Sequence, residues 1–215
     1  MIILLLGPQG AGKGTQGERL SAVLGYPLVG AGALLREEQL SGSDLGERIG
    51  AIIDAGNLVP ADLITEMLGK RLQRADAKAG VLIDGYPRDT EQLRLMFERF
   101  IPDLVLVLEL DDQTAIERLG GRWMCPKDHI YNLQSNPPKK AGVCNEDGTA
   151  LFQRVDDQEA AIKKRLAIYH ADTAPLIAQI EERGVRVERI NAALDIEVVY
   201  RAILAVIKKE ATLVS

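Results

Sequence analysis

Rings are scarce in this chain. Aromatic residues make up 4% of its 215 residues, and there is one tryptophan. The 47% that is hydrophobic is therefore mostly aliphatic, and it is enough for one main core with room for inserted subdomains. No apolar run approaches the ~18–20 residues of a membrane span. The opening run, Ile2 to Leu6, is too short for a signal-peptide core and follows no basic segment, so the expected location is the cytoplasm. A basic excess is also lacking. The net charge of −5 argues against a dedicated nucleic-acid or membrane-surface protein. In that compartment the two cysteines, Cys125 and Cys144, are expected reduced or metal-bound rather than disulfide-linked. The two histidines, His129 and His170, complete no serine–histidine or cysteine–histidine nucleophile set, and His170 reads as structural or surface. Internal repeats and low-complexity segments are missing too.

What the chain does have is Gly7-Pro8-Gln9-Gly10-Ala11-Gly12-Lys13-Gly14-Thr15. It follows the apolar run Ile2 to Leu6 and opens into Gln16 to Leu24, which has helical spacing. A strand, a glycine-rich turn and a helix start make the context of a phosphate-binding loop. The glycines let backbone N–H groups turn inward and approach phosphate oxygens. The helix N-terminus adds partial positive charge, and Lys13 adds a full one. A strict loop of this type has Ser or Thr directly after the lysine. Here that position is Gly14, and Thr15 comes one later.

Strand and helix patterns alternate along the rest of the chain. Strands are expected at Leu28-Val29, Val81 to Ile83, Asp103 to Leu110 and Val185 to Ile190. Helices are expected at Lys13–Leu24, Gly30–Leu40, Ser43–Ala55, Pro60–Arg74, Thr90–Phe100 and Asp111–Leu119. Gln158–Glu182 reads as a helix bent near Pro175, and Asp195–Lys209 as the last one, with a frayed tail from Glu210. The expected fold is α/β, a three-layer P-loop fold with a central parallel sheet and helices on both faces. Two stretches interrupt the rhythm: 30–59, which is helical, and 121–157, which is turn-rich. Both read as mobile covers inserted into a core formed by 1–29, 60–120 and 158–215.

Ligands of such sheets sit outside the carboxyl ends of the strands. The phosphate loop begins there, and so does Asp84-Gly85-Tyr86-Pro87-Arg88. Asp84 ends an apolar strand where a carboxylate can hold Mg²⁺ or its waters. Arg36, Arg88, Arg118, Arg122, Arg154 and Arg165 supply permanent charge and forked donors for phosphate. The absence of a general base fits one chemistry. When the acceptor is itself a phosphate, its oxygen is already ionised. Catalysis then reduces to holding two anions in line and offsetting their charge.

With these residues in view, the chain resembles the adenylate kinase family along nearly its whole length. The matching stretches are 7–16 (GPQGAGKGTQ), 34–37, 41–46, 54–59, 82–88 (LIDGYPR), 120–122, 136–139, 154–158, 163–166 and 173–176. The turn-rich insert resembles the lid of the long-lid bacterial form. The resemblance implies reversible transfer from Mg·ATP to AMP, giving two ADP, by a monomer. It implies catalytic roles for Lys13, Asp84, Arg88, Arg122, Arg154 and Arg165. ATP is expected on Gly10, Ala11, Gly12, Lys13, Gly14, Thr15, Arg118, Arg122, Ile130 and Tyr131. AMP is expected on Ala31, Arg36, Asn57, Leu58, Val59, Gly85, Arg88, Gln92, Arg154 and Arg165. Residues 30–59 become the AMP-binding subdomain and 121–157 the lid.

Some residues depart from the family pattern. Gly30-Ala31-Gly32-Ala33 stands where the family usually has Ser-Thr-Gly-Asp, and Ala31 lacks the threonine hydroxyl near the AMP base. Trp123 replaces the usual second arginine at the lid entrance, which reads as one positive charge fewer near ATP. Cys125, Cys144 and Asp147 lie where some members bind a structural metal. With His129, or with Asp128 in its place, they make a possible zinc set. The alternatives are a metal-free lid held by polar contacts, or a disulfide on oxidation. Rival functions are a related monophosphate kinase with altered nucleotide preference and a nucleotide-binding regulator without turnover.

The Ala31 departure predicts AMP as acceptor with reduced affinity. Ala31→Thr is expected to lower the KM for AMP in a steady-state assay, and an unchanged KM would count against this reading.

Overall fold

The computed structural model describes residues 1–213 apart from Asp128, Gln134 and Ser135, with side chains up to Lys209. Five strands form one parallel sheet: β1 (Ile2–Leu6), β2 (Leu28–Gly30), β3 (Val81–Asp84), β4 (Leu104–Glu109) and β7 (Arg186–Asn191), ordered β2-β3-β1-β4-β7. β1 lies at the centre, and Ile3 to Leu6 are buried on both faces of the sheet. That explains why its sequence is an unbroken apolar run rather than an alternation.

Successive side chains of these strands feed two separate cores. Leu4, Leu6, Ile83, Val105 and Val107 pack on one face with Ile64 and Leu68 of α4 (Ala61–Leu72), Leu93 and Met96 of α5 (Thr90–Arg99) and Leu176 and Ile180 of α8 (Ala174–Glu182). Ile3, Leu5, Leu82, Leu104 and Leu106 pack on the other with Leu20 of α1 (Lys13–Leu24) and Val199, Ile203 and Ile207 of α9 (Ile196–Leu213). Helix α9 continues to Leu213, beyond the expected stop at Lys209. No helix among the described residues is long and apolar enough to cross a membrane.

The two interruptions fold differently. Residues 30–59 hold α2 (Ala31–Gln39) and α3 (Asp44–Asp54), the second capped by Ser43, which accepts from the Gly46 N–H at 2.9 Å. After α6 (Asp112–Gly120) comes a two-stranded antiparallel sheet of β5 (Arg122–Met124) and β6 (Ile130–Asn132), with Trp123 opposite Tyr131. Cys125, Tyr131, Cys144 and Leu151 form its own small core, with Trp123 against it. The expected long helix after residue 158 is two helices, α7 (Glu159–Ile168) and α8, joined by a π-helical turn at Tyr169–Thr173. The irregularity thus begins five residues before the helix that carries Pro175 near its start. Proline lacks an N–H, and the wider turn lies ahead of it.

Gly7 is among the tightest points of the fold. Its φ is 135°, and an added Cβ would lie 2.3 Å from the carbonyl oxygen of Leu108 in the neighbouring strand. Gly25, at φ 69°, ends α1 with nothing within 4 Å of such an atom. Gly25→Ala is expected to lose about 1 kcal/mol, from backbone conformation alone. Gly7→Ala is expected to lose about 3 kcal/mol or more, because strain and overlap add. Urea denaturation of both variants decides; equal losses would mean that the overlap with β4 is no constraint.

Candidate active site

The phosphate loop joins β1 to α1. Gly10 and Gly12 adopt positive φ values of 86° and 83°. Gly12 caps α1 without a side-chain hydrogen bond, so first-turn N–H groups remain for a ligand. Lys13 folds back over the loop and donates from Nζ to the carbonyl oxygens of Gly7 and Pro8, both at 2.8 Å. Desolvation lowers its pKa from 10.5 to about 8, against the pull of Asp84, with Arg88, Arg165 and Arg122 adding to the lowering. Asp84 ends β3 directly opposite Leu5 of β1. Its carboxylate is 3.9 Å from where a Cβ on Gly14 would sit, so the bare backbone at Gly14 faces it.

Four arginines converge on the same region. Arg88 donates from Nε to the Gly85 carbonyl at 2.7 Å. A Cβ on Gly85 would lie 2.7 Å from an Arg88 terminal nitrogen, so glycine there admits the guanidinium. Burial lowers the Arg88 pKa, against the pull of Asp84. Arg122 makes a forked pair with Asp157, with Nε at 2.7 Å from one oxygen and a terminal nitrogen at 2.5 Å from the other. Arg154 pairs in the same way with Asp156. Arg165 lies 3.0 Å from the Asp156 carboxylate and donates to the Asp156 carbonyl at 3.0 Å. Desolvation brings Arg165 down to about 10, opposed by Asp156. Burial works to raise the pKa of Asp156, but Arg165 and Arg154 overcome it and hold it below the usual carboxylate value. Each fork leaves a terminal nitrogen of Arg122 and Arg154 unspent by its aspartate.

All of these cations, with Asp84, line one continuous cavity of about 590 Å³. On the loop side it is walled by Gly10 to Thr15, Arg118 and Ile130; on the α2 side by Ala31, Arg36, Asn57, Leu58, Val59, Gly85 and Gln92. Arg36 comes close to Arg88 across Gly32: a Cβ there would be 3.1 Å from one and 4.0 Å from the other. Gln92 is more constrained than expected. Its Oε1 accepts from the Arg88 N–H at 2.8 Å and its Nε2 donates to Asp89 at 3.0 Å. Tyr131 does not line the cavity. It is buried in the 121–157 core, where its hydroxyl accepts from the Asn145 N–H at 2.8 Å and meets Cys144 Sγ at 3.4 Å. Trp123 is also absent from the walls, because alternation along β5 turns Arg122 and Met124 inward and Trp123 toward the Cys125 cluster.

Sequence reasoning missed three features of the walls, Asp156, the 192–196 loop and Gln9, and one residue behind them, Asp157. Asp156 and Asp157 lie in a matched stretch but were not assigned to the site. The loop Ala192 to Ile196 follows β7 and was legible from the rule about strand carboxyl ends; Arg118 donates to the Ala192 carbonyl at 2.9 Å. Gln9 also lines the cavity, and its Oε1 is sealed without a hydrogen-bond partner. His170 pairs with Asp112 at 2.8 Å on the surface, away from this chemistry.

A second cluster lies within 121–157. One ligand atom each from Cys125, His129, Cys144 and Asp147 falls within 4.8 Å of every other. His129 Nδ1 is 3.3 Å from Cys125 Sγ and 3.4 Å from Cys144 Sγ. Asp147 uses Oδ1 for the Thr149 hydroxyl at 2.6 Å and N–H at 3.0 Å, which holds its pKa low, and turns Oδ2 to Cys125 at 3.3 Å. Burial raises the Cys125 thiol. The alternative ligand Asp128 lies outside the described residues.

Residues 5–185 match the family model described as adenylate kinase. The chain is 39% identical over 213 residues to an adenylate kinase of Anaeromyxobacter sp. (strain Fw109-5), covering 95% of this chain and 100% of that one. It is 39% identical over 214 residues to one of Methanosarcina mazei, with 97% and 99% covered. Against one of Streptomyces coelicolor it is 36% identical over 217 residues, with 98% and 100% covered. Matched from the phosphate loop through the arginines to the last strand, the chain belongs to the adenylate kinase family, a nucleoside monophosphate kinase that moves a phosphoryl group between ATP and AMP.

Proposed function

We propose that transfer runs in line through the middle of the cavity, with ATP on the phosphate-loop side and AMP on the α2 side. The observation that carries this is the single cavity that holds the loop, Asp84 and the convergent arginines together. The backbone of Gly10 to Thr15 and Lys13 Nζ would hold the ATP phosphates, with adenine between Arg118 and the Ala192 to Ile196 loop. Arg36 and Arg88 would hold the AMP phosphate. The unspent nitrogens of Arg122 and Arg154, with Arg165, would face the phosphoryl group in flight. Charge spreads over its equatorial oxygens there, and positioned cations stabilise it most. The AMP phosphate needs no base to attack.

The donor set for Mg²⁺ is a strand-end carboxylate, the Thr15 hydroxyl and the phosphate oxygens. That all-oxygen set suits a hard cation, and the ion would neutralise phosphate charge when bound. Residues 30–59 and 121–157 would be the AMP-binding subdomain and the lid, closing over the core 1–29, 60–120 and 158–215. Their closure would exclude water, which otherwise competes as acceptor.

We further infer a structural zinc in the lid. A tetrahedral ion at usual bond lengths puts sulfur and nitrogen ligands about 3.6 Å apart, near the 3.3 and 3.4 Å found. Thr149 holds one oxygen of Asp147 and leaves the other for the metal, as outer-shell partners do.

Two measurements test these readings. Bound phosphate favours charged Lys13, so its pKa rises from about 8 on nucleotide binding. In the free protein its folded pKa lies below the unfolded value. The unfolded state therefore binds more protons between about 8 and 10.5, and this group's destabilising effect is present below that window and fades across it. ATP binding is expected to take up a proton above about pH 8, with affinity falling as pH rises, measured by calorimetry in buffers of different ionisation enthalpy. Lys13→Met should abolish the uptake and lower kcat by about 10²- to 10³-fold. Uptake that survives in that variant would refute the assignment. For the lid, protein purified without chelator should carry about one zinc per chain, and Cys144→Ser should lose it and lower the Tm. Metal well below stoichiometry would exclude the zinc.

A further inference from the structure

The Arg88 main chain is tied down from both sides. Its N–H donates to Gln92 Oε1 at 2.8 Å, and its carbonyl accepts from the Thr173 hydroxyl at 2.7 Å. The guanidinium is held by the Gly85 carbonyl at 2.7 Å. Gly85 and Gln92 belong to the same loop and helix as Arg88. Thr173 alone among these three comes from elsewhere, from the π-helical turn between α7 and α8. It is 6% exposed, so no water replaces it easily. A threonine hydroxyl inside a regular helix ordinarily bonds back to a carbonyl one turn earlier. Here the Tyr169 carbonyl is taken by the Ala174 N–H across the widened turn, and the Thr173 hydroxyl reaches outward to the Arg88 loop. Such turns recur at functional sites. The same helical run carries Arg165 on α7, one turn before Tyr169, and Arg165 lines the cavity with Arg88.

We propose that Thr173 is a positioning residue: its hydroxyl sets the place of Arg88 relative to Arg165, and so the fit of the acceptor phosphate between them. The link is a single hydrogen bond from one packed helix to the carbonyl of the residue that would hold AMP. Removing the hydroxyl leaves a recessed carbonyl unmatched, and the loop relaxes to find another donor. Displacing a binding arginine weakens the ligand that it holds without touching the other nucleotide. The inference rests on the reading that Arg88 meets the AMP phosphate.

The experiment is steady-state kinetics of Thr173→Val, Thr173→Ser and Arg88→Ala, varying AMP at saturating Mg·ATP and then the reverse, with a thermal melt of each. T173V is expected to raise the KM for AMP about tenfold while the KM for ATP stays within about twofold. T173S, which keeps the hydroxyl, should return the AMP KM to within about threefold of the parent. Thr173→Ala carries the same expectation as T173V should the latter fail to fold. An unchanged AMP KM in T173V, beside a raised one in R88A, overturns the positioning role. Both KM values rising together with a lower Tm and no rescue by serine also overturns it, because that is loss of structure alone. An AMP KM unmoved in R88A would show that Arg88 does not hold the acceptor, and would remove the ground of the inference itself.

Discussion

Cations crowded around a recessed cavity repel one another, and the rest of this molecule is arranged to contain that repulsion. Lys13 feels it: desolvation does most to bring its pKa to about 8, and Arg88, Arg165 and Arg122 add to the lowering in spite of Asp84. Breaking a buried charge pair is strongly destabilising, because it leaves one charge without compensation. The fold supplies compensation on the side away from the ligand. Asp156 and Asp157, both nearly buried, take one edge of Arg154, Arg165 and Arg122. Anionic phosphates would complete the neutralisation from the other side. The free protein is thus built around charges that suit its ligands better than they suit one another.

The parallel sheet makes that crowding possible. Every strand of it delivers its carboxyl end to the same edge, and loops from β1, β3 and β7 meet there. Glycine governs how near those loops come. Gly7 lets the phosphate loop pass β4, and Gly85 lets Arg88 lie close over its own backbone. Aspartate side chains cap α5 and α6 at the same edge, with Asp89 accepting from Gln92 and Asp111 from Thr114. The N-terminus of α1 has no such cap. Among these three helices, the one left open is the one that follows the phosphate loop.

The segment 121–157 follows a different logic. Among its described residues the core is four buried side chains with Trp123 against them, far too few to order so many turns by burial alone. With the zinc proposed for it, the Cys125, His129, Cys144 and Asp147 cluster would supply the cross-link that a larger core otherwise provides. A core separate from the main one would suit the cover proposed for this segment, because a body that holds its own shape can swing without unfolding.

Much of this was legible in the residues. The unbroken apolar run of β1, the glycine and lysine spacing after it, and Asp84 at a strand end are local signals, and the sheet, the loop and most wall residues follow from them. The arginines could be named but not paired, since sequence spacing says nothing about which carboxylate sits behind which guanidinium. That pairing, and so the role of Asp156 and Asp157, is a matter of three-dimensional approach. Tyr131 and Trp123 lie off the cavity walls for a related reason. In a short hairpin, alternate residues face opposite ways, and a shift of one position exchanges cavity for core. The widened turn at Tyr169–Thr173 left no periodic trace, because one helix and two abutting helices share nearly the same apolar spacing. The sequence by itself determined the chemistry, a phosphate loop with cations and no base, since that chemistry depends on residue types in local order. Only the tertiary structure decided how those charges are held, since repulsion and pairing depend on distances between residues far apart in the chain.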